Sequence, residues 1–404
     1  MKKTVKGALS LLIAFSLAFS VMMPSYAADI SQAEIKAEAL KQMRLFKGVS
    51  ANDFELGRAP TRAEALVILI RVLGKEAEAL SGTWVHPFTD VPSWADKYIG
   101  YAYQKGLTKG VSATELGSGN ASSDMYLTFM LRALGYDDAS GDFTWDDPDT
   151  LAASAGILPN GVNTSDFQRS DAVLISWAAL EAKLKGGSKT LADKLIEMQA
   201  LETAEYTYAK LFVEKSGGTS VTSISDFQTA CQNKDVTVIQ ITADMELTGD
   251  LFIDRESGPN MLVYIREGVT LTVTGKLTVV GCYIVNDGTI AVSGILSRGL
   301  GGVTNNGAVT VKTGGEFSSG MSDTYNRGTI VVASSGKLPI DRGTQFYNYG
   351  ILTNSGDITV DNGGSLFNKF GKIQNEGTIN LMSYFEGNVT DILGTGTVND
   401  SRNK

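Results

Sequence analysis

The side chains able to perform acid–base, nucleophilic or metal chemistry are few. His86 is the single histidine among 404 residues, and Cys231 and Cys282 are the two cysteines. Multi-histidine metal sites are excluded by this count, and because His86 stands beside Pro87 in a predicted loop, no Ser-His-Asp or Cys-His catalytic site is predicted. No phosphate loop or dinucleotide fingerprint occurs, and Gly299 to Gly302 reads as a plain turn. The sequence therefore predicts no cofactor and no metal.

Arginine is the charged residue with a recurring position. Arg62 and Arg169 each stand second in a segment that opens an apolar helix, and Ser123 stands at the matching place between them. A guanidinium suits a carboxylate because its planar fork donates two parallel hydrogen bonds. The formal charge of −9 argues against nucleic-acid binding by a general field. Binding of an anionic polymer would therefore require a local pocket lined by arginines.

These arginines lie in a repeated segment. Residues 45–74 return from Leu107 to Gly135 and, in a worn third copy, from Gly156 to about Lys185. Each copy has a helix, a Gly-containing loop and a capped second helix, with Thr61 three residues before Glu64 as a capping box. A period of about 50 to 60 residues predicts one supersecondary unit used three times.

The amino-acid pattern of this repeat is similar to that of a known module. Phe88-Thr89-Asp90-Val91-Pro92-Ser93-Trp94-Ala95, then the Lys-Gly loop, then Thr61-Arg62-Ala63-Glu64 in the first copy, resemble the S-layer homology (SLH) module of bacterial surface proteins. The resemblance covers roughly residues 30 to 186. It departs in the second copy, where Ser122-Ser123-Asp124-Met125 replaces the arginine segment, and in the third, where the Phe-x-Asp-Val-Pro segment is altered.

The resemblance implies an all-α bundle of three repeats whose grooves bind acidic secondary cell-wall polysaccharide. It implies a role in binding for a set of residues: Arg62, Arg169, Asp90, Trp94, Glu64, Gly48 and Gly110. A purely structural interpretation stays open for three of them, with Trp94 as core filler, Asp90 as a cap and Arg62 as a solvated residue. We expect Arg62→Ala and Arg169→Ala each to weaken wall binding, and Ser123 to be silent.

The N-terminus predicts export. Three lysines precede an apolar run from Ala8 to Met23, and Ser25-Tyr26-Ala27 supplies a cleavage site, so residues 1–27 are predicted to be a signal peptide. An uncleaved membrane anchor is the alternative, although the run is short for a bilayer. Removal lowers the formal charge from −9 to −12. Export permits a Cys231–Cys282 disulfide, and two separately buried thiols fit equally well.

Residues 28–187 are thus assigned to the three repeats, and 188–218 to a helical spacer, predicted as one long helix from Thr190 to Lys215. The glycine pair at 217–218 predicts a boundary between two separately folded pieces. Residues 219–404 then change character to Gly, Thr, Val, Ile and Asn.

A second period begins near Glu267. Asn-x-Gly segments place glycines at 288, 307, 328, 356 and 377, each followed two and four residues later by apolar residues. A repeat of about 20 residues with one half-buried strand and a Gly corner predicts a right-handed parallel β-helix. Stacked asparagines are expected to share hydrogen bonds as a ladder. An antiparallel β-sandwich is the competing fold.

The sequence as a whole predicts a secreted, non-catalytic cell-surface protein that displays a β-helix from an SLH-like wall anchor. An adhesin whose β-helix binds a partner is a close variant. The alternative is a wall-anchored polysaccharide lyase or hydrolase, since β-helices host such enzymes by analogy. Outward positions after the repeated glycines contain one acid, Asp357, while the loop residues Asp323, Asp341 and Arg342 could still converge.

Overall fold

The protein consists of an N-terminal helical region and a C-terminal β-solenoid. The computed structural model describes residues 25–50, 53–256, 260–318, 320 and 322–402. Apart from its last three residues, the predicted signal peptide lies outside this range. In the part described, no helix is both long and apolar enough to span a bilayer.

The helical elements occupy the first half of the chain. The α-helices are α1 (Ser25–Gln42), α2 (Arg62–Val72), α3 (Glu76–Ser81), α4 (Asp96–Gln104), α5 (Ser123–Ala133), α6 (Asp149–Ser154), α7 (Arg169–Glu181), α8 (Leu191–Glu197), α9 (Thr203–Glu214) and α10 (Ile224–Gln232). Short 3-10 turns occur at Ser93–Ala95, Asp138–Ser140 and Val389–Asp391.

The predicted capping box at the start of α2 is confirmed. The Thr61 hydroxyl accepts from the Glu64 backbone N–H at 3.2 Å, and the Glu64 carboxylate accepts from the Thr61 N–H at 2.8 Å. Ser122 caps α5 in the same manner through the Met125 N–H. These contacts satisfy N–H groups that have no partner within the first turn of a helix.

Helices α2, α5 and α7 each begin against a loop of a neighbouring copy. The Arg62 N–H donates to Gly119 O, the Ser123 hydroxyl to Thr164 O, and the Arg169 N–H to Arg58 O. The loops of the first two copies also contain equivalent internal bonds: the Val49 N–H donates to Asp53 O, and the Val111 N–H donates to Glu115 O. The contacts therefore run in a cycle from the first copy to the second, to the third and back.

The spacer is two helices, so the prediction of one long helix from 190 to 215 is wrong. After α8 the chain turns through Gln199, whose φ of 57° is left-handed, and α9 starts afresh at Thr203. The Glu205 carboxylate accepts from the Glu202 N–H at 3.0 Å, which is a helix-start contact. The apolar period continues across the break and hides this second start.

The C-terminal half is a parallel β-solenoid of about eight turns, with three strands to a turn. The described strands are β1 (Thr219–Val221), β2 (Val238–Ile241), β3 (Met245–Leu247), β4 (Asp250–Asp254), β5 (Met261–Ile265), β6 (Thr270–Val273), β7 (Lys276–Val280), β8 (Cys282–Asn286), β9 (Thr289–Val292), β10 (Ile295–Arg298), β11 (Gly301–Asn305), β12 (Ala308–Val311), β13 (Glu316–Ser318), β14 (Asp323–Asn326), β15 (Thr329–Val332), β16 (Lys337–Ile340), β17 (Gln345–Asn348), β18 (Ile351–Asn354), β19 (Asp357–Val360), β20 (Ser365–Asn368), β21 (Lys372–Asn375), β22 (Thr378–Leu381), β23 (Tyr384–Glu386) and β24 (Thr397–Asp400). They form sheets of nine, eight and seven strands.

Every pairing between these strands is parallel, and the partners lie one turn apart, as in β9 with β12 and β12 with β15. The antiparallel sandwich considered from the sequence is therefore wrong. The aliphatic residues at alternate positions point inward and are buried, and the helix α10 covers the first turn of this core with Phe227.

The asparagines and glycines of the repeat occupy two corners of the solenoid, where the sequence predicted a single column. Gly307 stacks on Gly288, Gly328 on Gly307 and Gly350 on Gly328, whereas Gly356 stacks on Gly336 and Gly377 on Gly356. The interval of 28 residues between Gly328 and Gly356 covers one full turn, from Gly328 to Gly350, and then the short step to the next corner at Gly356. All corners use the same turn chemistry, so local sequence does not separate them.

The predicted asparagine ladder is confirmed, and it runs at two corners. Asn286, Asn305, Asn326, Asn348 and Asn368 are joined by Nδ2–Oδ1 bonds of 2.7 to 2.9 Å. A separate bond of 2.8 Å joins Asn354 to Asn375. Five of these residues have no exposed surface: Asn286, Asn305, Asn326, Asn348 and Asn354. Their amide N–H groups donate to the next asparagine and to backbone carbonyls inside the core.

The two cysteines are free thiols. Cys231 lies in α10 and Cys282 in β8, and both are buried. Burial raises the pKa of the Cys231 thiol to about 12 and that of Cys282 further. Of the two arrangements left open by the sequence, the structure has the separate thiols.

The core of the helical region extends onto the outer face of the solenoid, whose interior is a separate core. Val238, Leu262, Tyr264, Tyr283 and Val285, on the outer face of the nine-stranded sheet, belong to the same buried cluster as the helices. Tyr208 of α9 stacks on Tyr283, with ring centroids 4.3 Å apart. The glycine pair at the boundary also packs here, because Gly217 is buried and its carbonyl accepts from Gln240. Separate folding of the two pieces stays a prediction.

Candidate functional site

Arg62 lies at the edge of a groove between the first and second copies. Its backbone is held by Gly119, and among the described residues its guanidinium forms no hydrogen bond or ion pair. The side chain is half-buried and passes over Gly117, where the absence of a Cβ leaves room for it. A guanidinium that is placed but unpaired is free to bind an external anion.

The groove has a volume of about 510 Å³ and a cationic lining. It contains Arg62, Lys109 and Arg132, with the side chain of Trp145 at one wall. Of the described residues that line it, none is Asp or Glu. Thr108, Asn120 and Ser122 add hydroxyl and amide groups. Cations, neutral hydrogen-bonding groups and an aromatic ring suit an anionic carbohydrate better than an apolar ligand.

Asp90 supports this groove from beneath. Its carboxylate accepts from the backbone N–H groups of Leu116 and Gly117, both at 2.8 Å. Burial opposes ionisation, but the two backbone bonds outweigh it and lower the pKa of Asp90. Asp90 therefore fixes the loop on which Arg62 rests and does not line the groove itself, and it is not the helix cap of its structural interpretation.

Arg132 and Trp145 form the opposite wall. Two bonds of 2.8 and 2.9 Å hold the Arg132 guanidinium to Asp138, and its central carbon lies 5.7 Å from the Trp145 ring centroid. The indole is 45% exposed, so part of it remains available to a ligand. Neither Arg132 nor Trp145 is among the binding residues predicted from the sequence.

Arg169, the second predicted binding arginine, is buried and bonded within the protein. Its Nε donates to Phe54 O at 2.7 Å, Nη1 to Glu64 at 3.1 Å and Nη2 to Lys47 O at 3.1 Å. The guanidinium also lies over the ring of Phe46, and 3% of the residue is exposed. In this structure Arg169 joins the third copy to the first and offers no surface to a polymer.

Glu64 is the counter-ion of this contact. Besides Arg169 it accepts two bonds from Arg58, at 2.6 and 2.9 Å. Burial raises the pKa of the carboxyl, but the bonds from Arg58 and Thr61 and the charge of Arg169 outweigh that effect and lower it to about 2. Glu64 is consequently ionised and occupied at neutral pH.

The remaining predicted site residues are dispersed. Trp94 lies in the 3-10 turn before α4 and is 56% exposed, so it is neither core filler nor a wall of the groove. Gly110 lines the groove and has a φ of +73°, and a Cβ there would collide with Glu115 O. Gly48 holds the matching turn of the first copy, which faces the solenoid.

The loop acids of the solenoid are held by nearby protein donors. Asp341 accepts from the Ser318 hydroxyl at 2.8 Å and Asp323 from the Gln345 N–H at 3.3 Å. Both carboxylates raise the pKa of the buried Arg298, although burial has the larger effect and lowers it to about 9. Arg342 is exposed. Asp323 and Asp341 thus both lie near Arg298, which is buried and inaccessible to a ligand.

Similarity to characterised proteins is partial, and no family model matches the chain. It is 30% identical over 227 residues to a cell surface protein of Thermoanaerobacter kivui, covering 51% of this chain and 29% of that protein. It is also 28% identical over 151 residues to an endoglucanase of Bacillus sp. (strain KSM-635), covering 33% and 16% respectively. The chain thus spans less than a third of either relative.

A buried cluster of ion pairs lies at the junction between the helical region and the solenoid. Glu205 of α9 accepts from Arg44 at 2.8 and 3.0 Å and from Arg327 of the solenoid at 3.0 Å. The Tyr264 hydroxyl donates to Glu38 of α1 and, at 2.9 Å, to Asp287. These bonds join α1 and α9 of the helical region to the solenoid.

Proposed function

We propose that this is a secreted, non-catalytic cell-surface protein that holds an acidic secondary cell-wall polysaccharide in the groove at Arg62 and displays its solenoid outward. The observation that carries the proposal is the unpaired guanidinium of Arg62 in a cationic groove of an otherwise acidic protein. The rest of the molecule then serves as the displayed part.

Three further observations support this proposal. The repeated segments resemble the SLH module, whose grooves bind such polymers. The first relative named above is called a cell surface protein. The groove also combines placed cations with an exposed indole, a pairing suited to an anionic sugar chain.

The test is sedimentation of the purified mature protein with cell walls isolated from the producing organism. A charge-assisted contact is worth about 1.5 to 3 kcal/mol, so Arg62→Ala should weaken wall binding about tenfold or more. Arg62→Lys should recover part of the affinity, because the charge remains while the fork is lost. Walls stripped of their secondary polysaccharide by acid extraction should bind neither the wild type nor the variants.

Ser123→Ala is the matched control, since Ser123 occupies the equivalent position of α5 and donates to Thr164 O inside the protein. It should bind walls as the wild type does. The proposal is refuted when Arg62→Ala folds normally and binds with unchanged affinity, or when Ser123→Ala is the variant that loses binding.

A wall-anchored polysaccharide lyase or hydrolase is the second candidate. The observation that favours it is the partial similarity to an endoglucanase. Arg298, which lies near both Asp323 and Asp341, is 3% exposed, and this argues against a catalytic site there.

We expect no new reducing ends or unsaturated products when the protein is incubated with neutral or acidic polysaccharides. Products above a blank that disappear in Asp323→Asn or Asp341→Asn would instead assign the protein to this second class. Asp357→Asn, on the outer face of β19, serves as the control for an isolated acid.

A further inference from the structure

Phe370 is the most exposed of the large apolar side chains in the described part of the chain, at 86%. It lies in the connection between β20 and β21. At this corner two residues join the strands in each of the four preceding turns, from β8 to β18, whereas three residues, 369–371, join β20 to β21. The corner therefore contains one extra residue, and it holds a phenyl ring out in solvent, where the ring does not pack in the solenoid core.

A notch lies beside this ring, at the edge where the solenoid meets the helical region. The notch has a volume of about 170 Å³. Phe370 and Tyr349 form its solenoid side, and Leu45, Ala77 and Ala200 lie on the helical side. A cavity of about 150 Å³ with an apolar lining can hold a benzene ring. The notch therefore has room for one phenyl side chain.

The charged residues of the described chain that line the notch are paired within the chain. Arg71 bonds to Glu76 at 2.8 Å. Arg44 and Arg327 both bond to Glu205, at 2.8 and 3.0 Å. Paired arginines attract an external anion only weakly, which argues against an acidic ligand in the notch. Two copies of this acidic protein can also approach each other here without bringing unpaired like charges together.

The ring of Phe370 and the notch lie side by side on one surface. A two-fold axis that passes between them would place the ring of each copy at the notch of the other, so this surface is complementary to itself. We infer that two copies of the chain associate in this way, with the Phe370 ring of each copy seated in the notch of the other. This inference does not depend on the proposed function.

The outer face of the nine-stranded sheet extends this surface. Tyr347, Phe367 and Tyr384 lie in a row there, with ring centroids 4.7 and 5.3 Å apart, and Tyr384 is 53% exposed. An aromatic side chain buries about 150–250 Å². At exposures of 86% and 53%, Phe370 and Tyr384 of two copies would supply about 400–700 Å². This area lies below the roughly 1,200 Å² of a stable interface, so we expect a weak, concentration-dependent dimer.

A dimer of this kind carries two copies of the groove at Arg62. Binding of both grooves to one wall would raise the overall affinity without any new contact to the polymer. Association through Phe370 would thus strengthen anchoring wherever many chains lie close together on the wall.

Sedimentation velocity of the purified mature protein, from about 1 to 300 μM, tests the inference, because a weak interface has a Kd in the micromolar range. The wild type should shift from monomer to dimer over this range. Phe370→Ser should stay monomeric, since a buried aromatic side chain carries much of the binding energy of an interface. Phe370→Leu should associate with intermediate affinity, because it keeps a smaller apolar group.

Phe252→Ser is the matched control. Phe252 is 65% exposed on the eight-stranded sheet and does not line the notch, so this variant should associate as the wild type does. Ala77→Trp tests the notch itself, because Ala77 is an exposed residue of α3 and a larger side chain there would fill the notch without entering the core. It should weaken association about tenfold or more.

Three results would overturn the inference. The first is a wild type that remains monomeric at the highest concentration. The second is wild-type association by Phe370→Ser or by Ala77→Trp, since the two copies would then meet elsewhere. The third is loss of association by Phe252→Ser, since exposed apolar side chains in general, rather than this one surface, would then be responsible.

Discussion

Replacing Glu205 by glutamine tests how the solenoid is held on the helical region. The Glu205 side chain is 1% exposed and is bonded to Arg44 and Arg327, which come from opposite sides of the junction. Glutamine keeps the shape but removes the charge that both arginines share. Removing one partner of a buried ion pair typically costs 3–5 kcal/mol, because the remaining charge is left uncompensated.

The pKa of Glu205 gives an independent magnitude. Burial raises it, but Arg327, Arg44 and the Glu202 N–H outweigh burial and lower it from 4.5 to about 2. A lowering of this size corresponds to about 3 kcal/mol. Since the folded pKa lies below the unfolded one, this stability is fully present above about pH 4.5 and is lost as the pH falls through about 2.

The assay is urea-induced unfolding followed by far-ultraviolet circular dichroism at pH 7 and pH 3. Glu205→Gln should lose about 3 kcal/mol of unfolding free energy at pH 7, and its deficit relative to the wild type should shrink at pH 3. Glu202→Gln is the control, because Glu202 contacts Arg327 at 3.4 Å and is more exposed. A deficit below about 0.5 kcal/mol, or one equally large at both pH values, would refute this reasoning.

Two further predictions concern buried polar contacts. Arg169→Ala should destabilise the protein by about 3 kcal/mol in urea unfolding, since it removes one charged partner of Glu64 and leaves the carbonyls of Phe54 and Lys47 without their side-chain donor. A loss of wall binding without a loss of stability would instead restore the binding role that the sequence predicted for Arg169. Asn326→Ala should lower the unfolding free energy by about 3 kcal/mol, because Asn326 bonds Asn305, Asn348 and Ile351 O inside the core. The exposed Asn399, bonded to Asn380, should be nearly silent when changed to alanine, and an equal loss at both sites would contradict the ladder's contribution.

Local patterns were sufficient for much of the fold. The capping box of Thr61 and Glu64 and the half-buried strands of the solenoid follow from short-range spacing. The predicted spacer helix failed because the start signal at Glu202 and Glu205 lies inside a continuing apolar period. The sequence predicted one column of asparagines instead of two because different corners of a solenoid use the same turn residues.

By itself, the sequence determined the two architectures and the repeated positions of the arginines. Tertiary structure alone decided which arginine is free. Arg169 meets Glu64 across 105 residues and Glu205 meets Arg327 across 122. Such contacts depend on how whole units pack, so equivalent positions at Arg62 and Arg169 become an open groove in one place and a buried ion pair in the other.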